Sequence, residues 1–260
     1  QYYLVCIALR RRDAREAARR FMKLIEKGGR WASSFHNLSL ALELSGQVEK
    51  ALLAVQEGLN LFPNDRPLLL ARAILLTKTG QFIDAADAFE AYEKAPGRGQ
   101  TPPASYYAFS IVALGGARRL AEARRRANEG LALYPRNGPL LTNAAAVAER
   151  AGEAEEAEAL FGRAVDEAGD LPQAQRGLGD ALYRRGAYDD AGAIYSQLLQ
   201  TDGGNTADLL FRLGNIAYKR GDRAGAVRYW RETLEVDPNN TVARTNLELV
   251  ESVLASGQIR

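Results

Sequence analysis

The sequence predicts an all-α fold: an α-α superhelix, or solenoid, of about seven helix-turn-helix repeats that ends in a C-terminal capping helix. Alanine returns seven times at spacings of 34 to 38 residues, and a glycine or proline follows each alanine after twelve residues. Apolar residues between these markers recur every three or four positions, which is the period of a helix face. A repeat of this length is one supersecondary unit that buries its apolar face against its neighbours. The alanines are Ala17, Ala51, Ala85, Ala123, Ala157, Ala191 and Ala226.

The register divides the chain into a single solenoid over residues 1–256 and a frayed tail at 256–260. The repeats are 1–31, 32–65, 66–99, 104–137, 138–171, 172–205 and 207–240. Spacers at 100–103 and at Thr206 interrupt the register, and the glycine- and proline-rich stretch around the first spacer is a place where stacking can bend. The first repeat lacks its first three positions and the chain opens on Gln1, so we expect a fragment of a longer protein.

The last repeat shows most clearly why each element forms. Apolar spacings of three and four predict two helices within residues 207–240. Asp222 follows the glycine that separates them, where its carboxylate is well placed to cap the second helix. Pro238 ends that helix because it has no backbone N–H and disfavours helix before it.

Small and large residues alternate where the helices of a repeat must approach closely. Gly179 and Gly214 lie in first helices, and the recurring alanines lie near the start of second helices, so a larger side chain at either place would hold the backbones apart. Large side chains fill the layer four residues after the alanines in five repeats: Phe21, Phe89, Phe161, Tyr195 and Trp230.

This pattern resembles the tetratricopeptide repeat (TPR) family. The last repeat, LGNIAYKRGDRAGAVRYWRETLEVDPNN, and the sixth, LGDALYRRGAYDDAGAIYSQLL, carry the resemblance best, and it extends over more than nine-tenths of the chain. The family's early aromatic residue is kept as Tyr107 in the fourth repeat, and the glycine between the helices becomes Arg12 and Arg118 in the first and fourth. Beyond the last repeat, Val242, Leu247, Val250 and Leu254 predict the amphipathic capping helix at 241–255.

Composition excludes several function classes. The formal charge is +2, so no strong field favours nucleic acid. One cysteine, Cys6, and one histidine, His36, do not suffice for the usual thiolate or multi-histidine metal sites. No apolar run approaches the length that a membrane span needs. The compartment stays open, and the alanine- and arginine-rich composition suggests a bacterial protein in the cytoplasm or periplasm.

Candidate chemistry is sparse. His36 has no serine or cysteine nucleophile at a recognisable spacing, and no nucleotide-binding glycine motif is present. The acidic run from Glu153 to Glu158 favours the start of a helix rather than a calcium loop. The arginine run at 124–126 lacks interleaved aromatic residues for stacking on bases. We therefore predict no catalytic residue, no cofactor and no metal, and nucleic acid is disfavoured as a partner.

The resemblance to TPR proteins implies that the first helices line the concave side of a right-handed superhelix. Toward the N-terminus the inward positions are Tyr2, Cys6, Leu9, His36, Leu40, Leu70, Ile74, Thr77, Ala108 and Val112. Toward the C-terminus they are Arg176, Asp180, Tyr183, Arg184, Phe211, Asn215, Tyr218 and Lys219. This groove changes from apolar to basic, aromatic and hydrogen-bonding, which suits a peptide or helix of a partner protein. The carboxylate clamp of chaperone-binding TPR proteins is incomplete, since Phe211 stands at its lysine position.

Three functions follow as hypotheses. The first is a non-enzymatic scaffold that binds a protein segment in the concave groove and helps to assemble a larger bacterial complex. The second is a homo-oligomer that forms through the apolar N-terminal edge. The third is an accessory domain of a larger enzymatic or membrane-associated protein.

Overall fold

A computed structural model describes residues 13–97, 99, 101–169, 171–201 and 206–255, with side chains to residue 252. These residues form fourteen helices joined by turns, with no strand among them. Tyr2, Cys6, Leu9 and the predicted tail at 256–260 lie outside the described residues. Within the described part, no helix is both long and apolar enough to cross a membrane.

The helices fall into two compact units, Gln1–Pro135 and Arg136–Arg260. The first unit contains α1 (Ala14–Glu26), α2 (Ala32–Leu44), α3 (Val48–Leu61), α4 (Arg66–Lys78), α5 (Phe82–Lys94), α6 (Ala104–Gly116) and α7 (Leu120–Leu133). The second contains α8 (Gly138–Arg150), α9 (Ala154–Glu167), α10 (Pro172–Arg185), α11 (Tyr188–Thr201), α12 (Thr206–Lys219), α13 (Arg223–Val236) and α14 (Thr241–Ala255). The predicted all-α fold of paired helices is therefore confirmed.

Each unit is a stack of helical hairpins. In the first unit the paired helices are α2 with α3, α4 with α5 and α6 with α7, and in the second they are α8 with α9, α10 with α11 and α12 with α13. First helices of successive hairpins also touch: α2 with α4, α4 with α6, and α8 with α10. First helices thus lie side by side within a unit and share one face.

Short turns join the two helices of each hairpin, and most of them use a glycine with positive φ. Arg118 takes that place between α6 and α7 at φ 62°, the one described non-glycine residue in this region of backbone space. Side chains that lack Gly's freedom are strained there. Carboxylate and amide caps start several helices; the predicted cap Asp222 accepts a hydrogen bond from the backbone N–H of Gly225 at 2.8 Å.

The alternation of small and large side chains builds the core. All seven register alanines are at most 1% exposed. A Cβ on Gly179 would lie 2.7 Å from the Tyr195 ring, and one on Gly214 would lie 2.5 Å from Trp230 Nε1. Because those distances are shorter than any van der Waals contact, glycine at these two positions lets the aromatic rings pack directly on the backbone of the first helix.

Helix α14 covers the end of the last hairpin. Ala243 and Val250 are buried against Trp230, with Leu247 partly buried beside them. The prediction that Val242 lies on the packed face is wrong, since its side chain is 56% exposed. Ala243 takes that role because it lies four residues before Leu247, on the same face of the helix, whereas Val242 lies on the neighbouring face. The side chain of Leu254 lies outside the described part of the structure.

Candidate protein-binding surfaces

The first unit contains a cavity of about 380 Å³ on the shared face of its first helices. Four residues predicted to face the groove meet here: His36 and Leu40 from α2, and Leu70 and Ile74 from α4. Their partners around the rim are Ser39, Glu43, Arg66, Pro67, Ala71, Tyr92, Pro103 and Ser105. We call this the N-terminal cavity. Thr77 and Ala108, also predicted to face inward, are buried and offer no surface to a ligand.

The charges around the N-terminal cavity are already engaged. The Arg66 guanidinium lies 4.0 Å from the centre of the Tyr92 ring and donates a hydrogen bond to the Tyr92 carbonyl oxygen at 3.1 Å. Glu43 forms an ion pair with Lys78. With these groups paired, Leu40, Leu70 and Ile74 leave an apolar floor, which suits apolar side chains better than a charged ligand.

His36 contributes a neutral imidazole to the N-terminal cavity. Burial lowers its pKa below the ordinary value of 6.5, and this outweighs the opposing effects of the Asp65 carboxylate and of a hydrogen bond with Asn37. An uncharged ring at neutral pH agrees with the apolar floor beside it.

Because the folded state lowers the pKa of His36, the unfolded state binds the proton more tightly. The contribution of the neutral His36 to the free energy of unfolding is fully present above about pH 6.5. It is lost as the pH falls below that value, because the unfolded state then takes up the proton first. We expect the urea midpoint of the wild type to drop between pH 7.5 and pH 5.5 by more than that of His36→Gln. The chain has one histidine, so the difference between the two proteins reports this residue. Equal drops in both would contradict the assignment.

The second unit contains a smaller cavity of about 190 Å³, which we call the C-terminal cavity. Four predicted residues line it: Tyr183 from α10, and Asn215, Tyr218 and Lys219 from α12. Trp230 from α13 and Asn246, Leu249 and Val250 from α14 complete the wall. An apolar cavity of about 150 Å³ holds a benzene ring, so this space accommodates one aromatic or branched aliphatic side chain.

Polar groups at the C-terminal cavity remain available. Trp230 donates its indole N–H to Asn215 Oδ1 at 3.2 Å, which leaves the two N–H donors of the Asn215 amide. Lys219 forms no ion pair within the described part of the chain. One cation and amide donors beside three aromatic rings favour an apolar side chain with a nearby carboxylate.

The other predicted residues of the second unit lie away from this cavity, and their charges are paired. Arg176 forms an ion pair with Asp208 at 2.6 Å. Arg212 forms ion pairs with both Asp208 and Asp180. Asp180 also accepts a hydrogen bond from the Tyr195 hydroxyl.

Burial would lower the pKa of Arg212, but the hydrogen bond to Asp208 and the Asp180 charge raise it, so this guanidinium stays charged. Arg184 pairs with Glu149, and Phe211 packs against the core beside Trp230. The contacts among Asp180, Tyr195 and Arg212 connect α10, α11 and α12.

Sequence reasoning missed several residues of both cavities. Tyr92 and Ser105 enter the N-terminal cavity from a second helix and from the start of a first helix. Asn246 and Leu249 enter the C-terminal cavity from the capping helix. A register that assigns the lining to first helices excludes Tyr92, Asn246 and Leu249, which lie on a second helix and on the capping helix. Ser105 lies on a first helix and was overlooked.

Family models of the tetratricopeptide repeat match residues 142–206 and 207–240. No curated protein matches. Many solved structures are similar in fold, among them the following three. A chain of the APC/C hetero-tetramer Cut9–Hcn1 has a TM-score of 0.78 and 15% identity over 95% of this chain and 48% of its own, so this chain spans about half its length.

PilF of Pseudomonas aeruginosa has a TM-score of 0.68 and 20% identity, covering 82% of this chain and 95% of its own. A tetratricopeptide repeat protein of Parabacteroides merdae has a TM-score of 0.65 and 16% identity, covering 96% of both chains. At these identities the likeness establishes the fold alone, and two of these relatives are bacterial. Residues 142–240 thus consist of tetratricopeptide repeats, and the hairpin stacks of both units have the fold of tetratricopeptide repeat proteins.

Proposed function

We propose that this chain is a non-enzymatic scaffold that binds a peptide or helix of a partner protein on the faces of its first helices. The family's fold supports a general role in protein–protein interaction. The observation that carries the proposal is that each compact unit has a cavity on these faces, and each cavity gathers four of the residues predicted to face the groove.

The two cavities favour different parts of a partner. The N-terminal cavity, with its apolar floor and paired charges, suits the apolar face of a helix or extended segment. The C-terminal cavity suits one inserted apolar or aromatic side chain next to a carboxylate that Lys219 attracts. The similar Cut9–Hcn1 chain is part of a hetero-tetramer, which agrees with a role in assembling a larger complex. Self-association through the N-terminal edge stays a prediction, since residues 1–12 lie outside the described structure.

The test places a carboxylate in each cavity. Leu40→Glu and Tyr218→Glu alter exposed side chains of the N-terminal and C-terminal cavities, so we expect both variants to retain the fold. We expect each to reduce recovery of the native partner in quantitative co-purification by at least about tenfold, which corresponds to about 1.4 kcal/mol.

Ile83→Glu is the matched control, because Ile83 is an exposed apolar residue on the second helix α5. A partner that is recovered equally with all three variants would rule out the first-helix faces. Concentration-dependent association of the wild type that Leu40→Glu leaves intact, with no other partner, would favour the oligomer instead.

A further inference from the structure

A second apolar surface lies on the opposite side of the first unit, among its second helices. A groove of about 600 Å³ runs between α1 and α3, with α2 as its floor. Its apolar lining is Ala18, Met22, Leu38, Leu42, Leu53 and Ala54. Leu53 is 70% exposed and Met22 is 41% exposed, one on each wall. We call this the second-helix groove; none of its residues belongs to the cavities described above.

The repeat register shows that large apolar residues occupy these two positions only in the repeats that form this groove. The residue five positions after the register alanine is Met22 here, and in the other repeats it is Gln56, Glu90, Asn128, Gly162, Ser196 and Arg231. The residue two positions after it is Leu53 here, and elsewhere it is Arg19, Asp87, Arg125, Ala159, Ala193 and Arg228. Six of seven repeats therefore carry a polar or small residue at each position, so packing of the repeat does not require Met22 or Leu53.

The corresponding groove of the second unit, between α11 and α13, confirms that the position is ordinarily polar. It is lined by Asp189, Ser196, Arg220, Asp222, Arg228 and Tyr229, among others. Arg220 pairs with Asp189 at 3.0 Å across it, and the Arg228 guanidinium lies 4.9 Å from the centre of the Tyr229 ring. There Arg220, Asp189 and Arg228 have partners within the chain, whereas in the first unit two large apolar side chains face solvent.

The rim of the second-helix groove is basic. Arg15, Arg19 and Lys50 line it together with a single carboxylate, Glu57, which is paired with Arg30 at 2.9 Å. Arg19 is paired with Glu16 at 3.0 Å, while Arg15 has no ion pair within the described part of the chain and Lys50 donates only to the Gln47 amide oxygen. The groove therefore complements an anion. Residues 1–12 of this chain are a poor occupant by charge, because they carry Arg10, Arg11 and Arg12 and no acidic residue.

We propose that the second-helix groove of the first unit binds an acidic amphipathic helix of a partner protein. Two or three apolar side chains of that helix, spaced by three or four residues, pack between Met22 and Leu53 onto the α2 floor. Carboxylates on either side of this stripe face Arg15 and Lys50. A cleft with walls on both sides fits the rounded surface of a helix better than the flat surface of a membrane.

The experiment selects ligands for the full chain from a displayed library of 14-residue helices. Leucine is fixed along one helical stripe, and the flanking positions are randomised among Asp, Glu, Lys, Arg and Ser. We expect the selected peptides to be enriched in Asp and Glu beside the stripe. Met22→Gln and Leu53→Arg, which install residues that other repeats carry at the same positions, should weaken the strongest selected peptide by at least tenfold each. Arg15→Glu should weaken it and reduce its dependence on salt.

Ile83→Gln is the control, since it removes an exposed apolar residue of α5 outside the groove. The proposal is overturned if no peptide is selected, if the selected peptides are basic or neutral, or if Met22→Gln and Leu53→Arg bind them as the wild type does. Vesicles containing phosphatidylserine that bind the wild type but not Leu53→Arg would assign the groove to membranes instead. Sedimentation in which Leu53→Arg abolishes self-association would assign it to a second copy of this chain.

Discussion

Replacing Trp230 by alanine is expected to lower the free energy of unfolding at the C-terminal end by about 3–5 kcal/mol, the range for large aromatic residues removed from a core. The Trp230 side chain is 2% exposed and packs on the backbone of α12 at Gly214. It also contacts Ala243 and Val250 of α14 and donates to Asn215. Its loss leaves a cavity at the point where three helices meet and an amide without its partner.

The effect should be local, because each repeat of such a stack contacts only its neighbours. Hydrogen exchange is expected to accelerate in α12, α13 and α14 while α2 to α5 keep the wild-type rates. Trp31→Ala provides a matched control, since the other tryptophan of the chain is 55% exposed and should change stability by less than about 1 kcal/mol. The free energy of unfolding of each variant is measured by circular dichroism in urea. Equal losses of free energy in the two variants would contradict this account of the core.

Gly214→Ala is expected to destabilise the chain by about 1–3 kcal/mol, although alanine ordinarily stabilises a helix relative to glycine by about 1 kcal/mol. The added methyl group would lie 2.5 Å from Trp230 Nε1 and 2.6 Å from its Cδ1 atom. Since the indole is buried and hydrogen-bonded to Asn215, it cannot swing out of the way without breaking that bond. Steric overlap therefore exceeds the gain in helix propensity.

Gly162→Ala tests the same substitution where space is available. Gly162 lies inside α9, and a Cβ there would have no heavy atom within 4 Å. We expect this variant to raise the free energy of unfolding by up to about 1 kcal/mol, so the two Gly→Ala changes should have opposite signs. Stabilisation by Gly214→Ala in the same urea titration would show that the aromatic ring does not pack on the helix backbone.

The fold was predictable because its determinants are local in sequence. Seven alanines at spacings of 34 to 38 residues locate the second helices, and Gly179 and Gly214 locate the points where Tyr195 and Trp230 approach a first helix. The position of α14 also followed from its apolar spacing. The choice of Val242 for the packed face was wrong although the sequence held the signal. Ala243 lies four residues before Leu247 and seven before Val250, which is the spacing of one helix face, whereas Val242 lies five and eight residues before them.

The candidate site was predictable only in part. The register placed His36 and Leu70, and likewise Tyr183 and Tyr218, on the inward side of first helices, and each pair lines one cavity of the structure. The ion pairs between side chains of different hairpins could not be predicted in the same way. Whether Arg176 and Asp180 meet a ligand or meet Asp208 and Arg212 depends on distances between helices that the sequence does not state.

Helix α14 closes the last hairpin and also supplies Asn246 and Leu249 to the C-terminal cavity. The same helix therefore makes two sets of contacts, one with the last hairpin and one with the cavity, and both are lost when the helix undocks. A ligand held between α12 and α14 binds only while α14 is docked, so occupancy adds its binding free energy to the docking of that helix. The end of the chain thus becomes a thermodynamic reporter of the cavity. A partner that fills it should slow the fraying of α14, and a change that loosens α14 should lower the apparent affinity for the partner in proportion to the fraction of molecules in which α14 is docked.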